Sequence, residues 1–292
     1  MNKGIIKYLD KLKIALSQLD KSTIQDALAD AEDHLTTALL VESEENPETS
    51  SSILLESIIE KYGTPEEILD QYSDIEEITT PVFSEEEIKK KKKGFMGFIE
   101  VITEPDAWAS LLYLLLSSAL GVIYFTWAVT GISLSVGLLP LIIGIPVALL
   151  VLLSIRGLGF VEGRIVEALL GERMPRRSIT PSNTENWWEK FKIILTTRST
   201  WTTIVYMILL LPLGITYFTL IVTLFSLAIS LIGSPITQYV LNEPFVDHGI
   251  WIPFYVMPFL VAFGGLLIVL TLHFSKLIGQ LHGRFAKVML VS

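Results

Sequence analysis

From Ala107 to Ile155 the chain runs forty-nine residues without a single charge. A bilayer hydrocarbon core about 30 Å thick is crossed by roughly 20 apolar residues of helix. Forty-nine residues are too many for one crossing and enough for two, provided that a tight reversal divides them. Thr130, Gly131, Ser133 and Ser135 predict that reversal, because glycine and short hydroxyl residues accept turn backbone. Spans are expected at about 109–130 and 135–155, which makes this an integral membrane protein.

The pattern then recurs. Trp108, Tyr113, Gly121, Tyr124, Phe125 and Thr130 are matched at a constant offset of 93 by Trp201, Tyr206, Gly214, Tyr217, Phe218 and Thr223. After the second span of each half the offset becomes 120, so that Arg156, Gly163 and Arg164 face Lys276, Gly283 and Arg284. The difference of 27 residues is an insertion between the two spans of the second half. This is a duplicated two-span hairpin. An even number of spans per half makes the repeat parallel, whereas an inverted repeat needs an odd number. Spans three and four are expected at about 202–225 and 251–272, with residues 226–250 as an excursion between them.

Charge sets the orientation. Arg156, Arg164, Arg173, Arg176, Arg177, Lys190, Lys192 and Arg198 all fall in the connection between the hairpins, and Lys276, Arg284 and Lys287 follow the last span. The two other connections hold no Lys or Arg. Positive residues stay inside, so both termini and the central connection are expected in the cytoplasm. Five consecutive lysines, Lys89, Lys90, Lys91, Lys92 and Lys93, precede the first span. They read as contacts to the inner leaflet, each worth about 1 kcal/mol near anionic lipid. Arg156, Arg164, Lys276 and Arg284 are expected to touch the same leaflet. From Arg156 to Leu170 apolar residues alternate with Glu162, Arg164 and Glu167 at helical spacing, which predicts an amphipathic helix, either continuing span two or lying on the membrane surface.

The net charge of −9 divides unevenly. Residues 1–88 hold 6 basic and 21 acidic side chains, or −15; the remainder hold 16 and 10, or +6. An acidic N-terminal region repels phosphates, which argues against direct nucleic-acid binding. Residues 1–80 predict four helices. Ile5, Leu9, Leu12, Leu16 and Leu19 share one face; Ser22 with Gln25 suggests the cap of a second helix; residues 42–50 read as a polar loop; Ile53, Leu54, Ile58, Ile59 and Tyr62 line a third helix. Gly63-Thr64-Pro65-Glu66-Glu67 combines a helix-closing glycine with a capping box, and Ile68, Leu69 and Tyr72 continue the apolar face. The expected fold is all-α: a small four-helix cytosolic domain at 1–80, a charged linker and interfacial segment at 81–107, and four transmembrane helices in two parallel repeats at 108–290.

Two resemblances follow from these residues. Tyr8-Leu9-Asp10-Lys11-Leu12, the acidic helix Asp26–Leu35 and Tyr62-Gly63-Thr64-Pro65-Glu66-Glu67-Ile68 resemble the HAAS signalling domain, with Tyr62 in place of the usual Leu. That resemblance implies a bacterial signalling role and a partner such as a PadR-like transcriptional regulator. Trp108-x4-Tyr113, Gly121-Val122-Ile123-Tyr124-Phe125, Thr130-Gly131, Gly144-Ile145-Pro146, Arg156-Gly157 and Glu162-Gly163-Arg164 resemble the four-span sensor module at the N-terminus of some bacterial histidine kinases.

The search for reaction chemistry is mostly negative. No charged side chain lies inside an expected span, which disfavours an ion-coupled transporter. The four histidines, 34, 248, 273 and 282, lack metal-ligand spacing, and His273 and His282 read as interfacial residues near the membrane exit. There is no phosphate loop and no nucleophile cluster, so neither a metal, a cofactor nor an enzymatic activity is expected. Tyr124, Trp127, Tyr217 and Phe218 form either an aromatic belt or a lipid or amphiphile pocket between the repeats. The expected function is a non-catalytic signalling protein of the bacterial cell membrane that passes an envelope signal to a cytosolic regulatory protein, with a homo-oligomer compatible. The alternative is an accessory subunit of a membrane transporter complex.

Overall fold

A computed structural model describes residues 2–47, 49–78, 95–141, 143–176, 187–241 and 251–291. Among these, no strand occurs. The N-terminal domain comprises α1 (Lys3–Ala15), α2 (Lys21–Glu45), α3 (Ser51–Tyr62) and α4 (Pro65–Ile78). Its core is Ile5, Tyr8, Leu12, Leu16, Ala27, Ala31, Leu35, Leu55, Ile58 and Ile68, one stripe from each helix. Asp20, rather than Ser22, caps α2 by accepting from the Ser22 amide at 2.9 Å. Ser22 is itself buried and also donates its hydroxyl to Asp20. Residues 42–45, expected in a loop, continue α2, where Glu42 pairs with Lys61 at 3.0 Å.

The capping box at Thr64 closes reciprocally: the Glu67 amide donates to Thr64 Oγ1 at 3.3 Å and the Thr64 amide donates to Glu67 Oε2 at 2.8 Å. Gly63 has φ 117° and ψ 162°, outside the left-handed helical region that a simple cap would use, in territory open almost only to glycine. Its carbonyl accepts from the Tyr8 hydroxyl at 2.8 Å, which ties the α3–α4 corner to α1.

Four helices are long and apolar enough to cross a membrane. They are α6 (Pro105–Gly137), α7 (Gly144–Leu170), α9 (Arg198–Pro235) and α10 (Met257–Leu290); the short α5 (Phe95–Ile99) and α8 (Trp187–Thr196) precede α6 and α9. The predicted reversal at Thr130–Ser135 does not occur, for α6 runs through it and the chain turns between Gly137 and Gly144. The physical reason lies in packing. A Cβ on Gly131 would stand 2.7 Å from Val151, and Ser135 spends its hydroxyl on the Gly131 carbonyl four residues back, at 2.7 Å. In an apolar bundle these small residues bring helices together instead of bending the chain. Likewise α9 runs past Phe225, the expected end of span three, to Pro235, and a π turn at Ile236–Val240 follows. The Gln238 amide then clamps Ile252 from both sides, donating to its carbonyl at 2.6 Å and accepting from its N–H at 2.9 Å. The helix from Arg156 to Leu170 is a continuation of α7, closed by Gly171 at φ 72°.

The two hairpins pack as copies. A Cβ on Gly121 of α6 would stand 2.7 Å from the Leu210 carbonyl of α9, and one on Gly214 would collide with the Ser117 carbonyl; Gly214 is Gly121 displaced by 93, and Leu210 is Ser117 displaced by 93. A Cβ on Gly144 would lie 2.6 Å from the Ser135 carbonyl, and one on Gly264 would lie 2.8 Å from that of Ala228. By the same measure Gly159 meets Thr203 at 2.8 Å, and Gly279 meets Ser110 at 2.9 Å. Trp108 donates to the Ile102 carbonyl at 2.8 Å as Trp201 donates to that of Leu195 at 2.9 Å. Every one of these pairs obeys the offsets of 93 and 120. The two first helices, α6 and α9, cross at the centre, and α7 and α10 flank them.

Candidate functional site

Gly144 lies against Ser135, and α7 then runs antiparallel to α6. Eighteen residues on, Glu162 arrives alongside about residue 117 of α6, between Tyr113 and Tyr124. The side chain is fully buried. Tyr113 donates to Glu162 Oε1 at 2.7 Å, and Tyr206 of α9 donates to the same oxygen at 2.9 Å. The two tyrosine oxygens are 3.4 Å apart. Tyr206 also stands 3.1 Å from His282 Nε2 of α10, whose Nδ1 lies 3.4 Å from the Tyr217 hydroxyl. Tyr113, Tyr206, Tyr217 and Phe285 enclose the imidazole with ring centroids 5.2–6.0 Å away. Tyr124 adds a third phenol beside the buried Glu162 carboxyl.

Each member of this cluster has its repeat mate in the cluster. Tyr113 corresponds to Tyr206 and Tyr124 to Tyr217, both at an offset of 93; Glu162 corresponds to His282 at 120. The tyrosines are kept and the third pair has become an acid and a base. A buried carboxyl without a counter-ion is expensive in an apolar bundle, which makes it a functional candidate by default. Among the described residues no cation pairs with Glu162, and no group of three or more His, Cys, Asp or Glu side chains could hold a metal ion.

Two expectations are thereby corrected. The sequence reading puts Glu162 on the polar side of an amphipathic helix, with no charged side chain inside a span. Instead it lies in the interior of the bundle, because the helix continues span two and turns this face to α6 and α9. His282, expected as an interfacial residue, is 2 % exposed. His273 stacks on Phe98 at 4.8 Å. The aromatic quartet divides: Tyr124 and Tyr217 face inward toward the acid and the base, whereas Trp127 and Phe218 are exposed, with the Trp127 indole donating to Ser154 at 2.8 Å.

Of the residues expected at the inner leaflet, Arg156, Arg164 and Lys276 make contacts within the chain. Arg156 donates to Thr200 Oγ1 of α9 at 3.1 Å, and its mate Lys276 binds Glu104 at 2.8 Å with Asp106 at 3.8 Å, so each hairpin's basic residue reaches the start of the other hairpin. Arg164 donates to the carbonyls of Met174 and Pro175 at 2.7 and 2.6 Å and pairs with Glu167. Arg284 is largely exposed, 3.9 Å from Glu172. The expected leaflet contacts Lys89, Lys90, Lys91, Lys92 and Lys93 lie outside the described residues.

The N-terminal domain sits on this end of the bundle. Lys287, near the end of α10, binds Asp20 at 2.7 Å and lies 3.6 Å from Glu172, and the Arg176 amide donates to Asp26 at 2.7 Å. Burial pushes the Asp20 carboxyl up, but the Lys287 ammonium and the Ser22 donors outweigh it and hold the group below its ordinary value. Further along α2 a groove of about 800 Å³ opens toward α4, lined by Asp30, Asp33, Val41, Glu42, Tyr62 and Tyr72 among others.

Against known families, a model described as "Putative sensor" matches residues 84–290, and the HAAS model matches residues 7–71. No curated protein and no solved structure matches the chain.

Proposed function

The chain belongs to this sensor family and carries a HAAS domain ahead of its membrane bundle; from that premise we propose a non-catalytic relay, in which the bundle registers a condition of the bilayer or outer face and the acidic domain reports it to a cytosolic protein. The observation that carries this reading is the Asp20–Lys287 contact, 2.7 Å between the domain and the last membrane helix. A sensor that reports by binding must offer its partner two distinguishable states. A helix that passes through the sensing bundle and ends on the reporting domain supplies a mechanical link between them. The excess of Lys and Arg at this end supports placing the domain and both termini in the cytoplasm of a bacterial cell. In this reading the run Lys89, Lys90, Lys91, Lys92 and Lys93 holds the linker to the anionic inner leaflet. The groove with four carboxylates on its rim, Asp30, Asp33, Glu42 and Glu45, supports a protein partner over a nucleic acid. A PadR-like regulator fits the HAAS resemblance.

The test is photo-crosslinking in living cells from Val41, beside the groove, and from exposed Ile53 on α3. The expected result is capture of a DNA-binding regulator from Val41, with a yield that changes under envelope stress. Capture of a permease or ATPase subunit at constant yield would instead establish the accessory-subunit reading. Lipid turnover by the purified chain would overturn the non-catalytic assignment.

A further inference from the structure

We propose that Glu162 and His282 share a mobile proton through Tyr206, and that the position of this proton is the two-state element of the bundle. Tyr206 has one proton to donate and two acceptors within reach, Glu162 Oε1 at 2.9 Å and His282 Nε2 at 3.1 Å. The acceptors stand on different hairpins, Glu162 on α7 and His282 on α10. With the phenol proton toward Glu162, Tyr206 donates to α7 and accepts from α10; with it toward His282, Tyr206 donates to α10 and accepts from α7, so the proton decides which hairpin supplies the acceptor.

The exchange balances within the chain. In one state Glu162 is a carboxylate receiving the Tyr206 and Tyr113 donors, and His282 carries protons on both nitrogens, with Nε2 donating to the Tyr206 oxygen. In the other, Tyr206 has passed its proton to Glu162 Oε1 and has taken the Nε2 proton of His282. Glu162 is then a neutral acid, Tyr206 is again a neutral phenol, and His282 Nε2 accepts from it. One O–H bond breaks and one forms at Tyr206, one O–H forms at Glu162 and one N–H breaks at His282. No outside reactant is needed.

Four features of the site support this assignment. The tyrosine pair is kept between repeats while the third pair differs as acid and base, which gives Tyr206 a proton acceptor on each side. Glu162 and His282 are 0 % and 2 % exposed, so neither exchanges its proton with solvent directly. The groups that face the pair are Tyr113 and Tyr124 from α6 and Tyr206 and Tyr217 from α9; all are phenols, and among the described residues no Lys or Arg pins the charge. Finally, His282 precedes Lys287 by five residues, about 7–8 Å along α10, so a shift in how α9 holds His282 acts on the helix end that holds Asp20.

The role assigned to the proton rests on the sensor reading, but the proton itself is measured without any partner. The full chain, labelled with ¹⁵N-histidine and placed in nanodiscs of phosphatidylethanolamine and phosphatidylglycerol, is titrated with pH by infrared and NMR spectroscopy. The expected result is a carboxylic-acid C=O band that Glu162→Gln removes and that changes in step with the imidazole signal that His282→Gln removes. Tyr206→Phe keeps the ring and separates the two midpoints by about one pH unit or more, whereas Tyr113→Phe leaves them coupled. Should Glu162→Gln fail to fold, the Tyr206→Phe comparison still decides. Coupling that survives Tyr206→Phe, or midpoints that are already independent in the wild-type chain, overturns the proposal. Loss of coupling with unchanged domain crosslinks would separate failure of the sensor reading from failure of the relay.

Discussion

The first hairpin and the second are one packing solution used twice, and they differ mainly where polar chemistry is done. Glycines 121, 144 and 159 and their mates 214, 264 and 279 meet repeat-related residues of equivalent helices. At such contacts the neighbour is backbone or a short side chain, so any added bulk would force the helices apart. Polar positions carry no such constraint. Glu162 faces His282, Arg156 faces Lys276, and Glu167 faces Lys287 across the same offset. Shape is kept between the halves, and basic charge is kept at Arg156 and Lys276, whereas Glu162/His282 and Glu167/Lys287 change character, which separates residues that hold the bundle together from residues that give its halves unequal tasks.

The largest effects should come from breaking the shared shape. Gly121→Val and Gly214→Val each put methyl groups into a facing carbonyl and should destabilise the module by about 3 kcal/mol or more, similarly for both. Gly157→Ala and Gly233→Ala meet nothing within 4 Å and should be neutral or stabilising by up to about 1 kcal/mol through helix propensity. Unfolding in mixed micelles reads both. Unequal costs for the first two variants would mean that the halves are not equivalent even in packing.

At the centre the comparison sharpens. Tyr113→Phe removes one donor from Glu162, for about 1–2 kcal/mol. Tyr206→Phe strips a donor from Glu162 and a partner from His282 together, and should cost about 2–3 kcal/mol. The same substitution at repeat-related positions thus has unequal cost. A double-mutant cycle should return a non-zero coupling, since both hydroxyls serve one oxygen. Equal costs and no coupling would argue that the acid–base difference has no bearing on how the tyrosines are held.

Next come the crossed basic contacts. Lys276→Met removes the Lys276 ammonium from Glu104 and Asp106 and should cost about 1–2 kcal/mol, less as salt is raised. Arg156→Met loses a hydrogen bond to a neutral threonine and should cost about 1 kcal/mol, with little dependence on salt. Salt titration of the two unfolding free energies distinguishes ionic from neutral anchoring.

Much of this architecture is legible in the sequence, and what escapes it has one cause. The uncharged run, the two offsets and the capping box at Thr64 report local or repeating requirements, and the helices follow them. Gly131 misleads because small residues signal reversals in water and close helix contact in lipid. Glu162 takes a polar face from its neighbours Arg164 and Glu167, which do occupy one; its own burial depends on α6 and α9, far away in the chain. A signal does exist. The register that pairs Gly163 with Gly283 also pairs the residue before each, Glu162 with His282, and two ionisable residues at matched positions of a membrane repeat ask for a shared site. His282 and the tyrosines are buried for the same non-local reason.

The smallest energy belongs to the contact with the longest reach. Lys287 and Asp20 retain 20 % and 29 % exposure, so their pairing is worth about 1 kcal/mol or less. The first hairpin carries Glu167 at the position of Lys287, and a carboxylate there would repel Asp20. The difference between the halves therefore selects which helix end receives the domain. Lys287→Glu gives the second hairpin the residue of the first and should release the domain at neutral pH with little change in the stability of the bundle. Because the chain contains no cysteine, spin labels at Cys introduced for exposed Ile53 and Val288 report the separation cleanly. The wild-type distance should also depend on acid with a definite sign. Asp20 is held below its ordinary carboxylate value in the folded state, so its contribution is full above the unfolded value of about 3.9 and is lost as pH falls through the lower folded value. One distance should therefore persist from pH 7 to about 5 and broaden only below about 4. Broadening already near pH 6 would show that another group, not Asp20, governs the docked domain. A distance unmoved by Lys287→Glu would leave the docking to the Asp26–Arg176 backbone contact, which is indifferent to the charge difference between the hairpins.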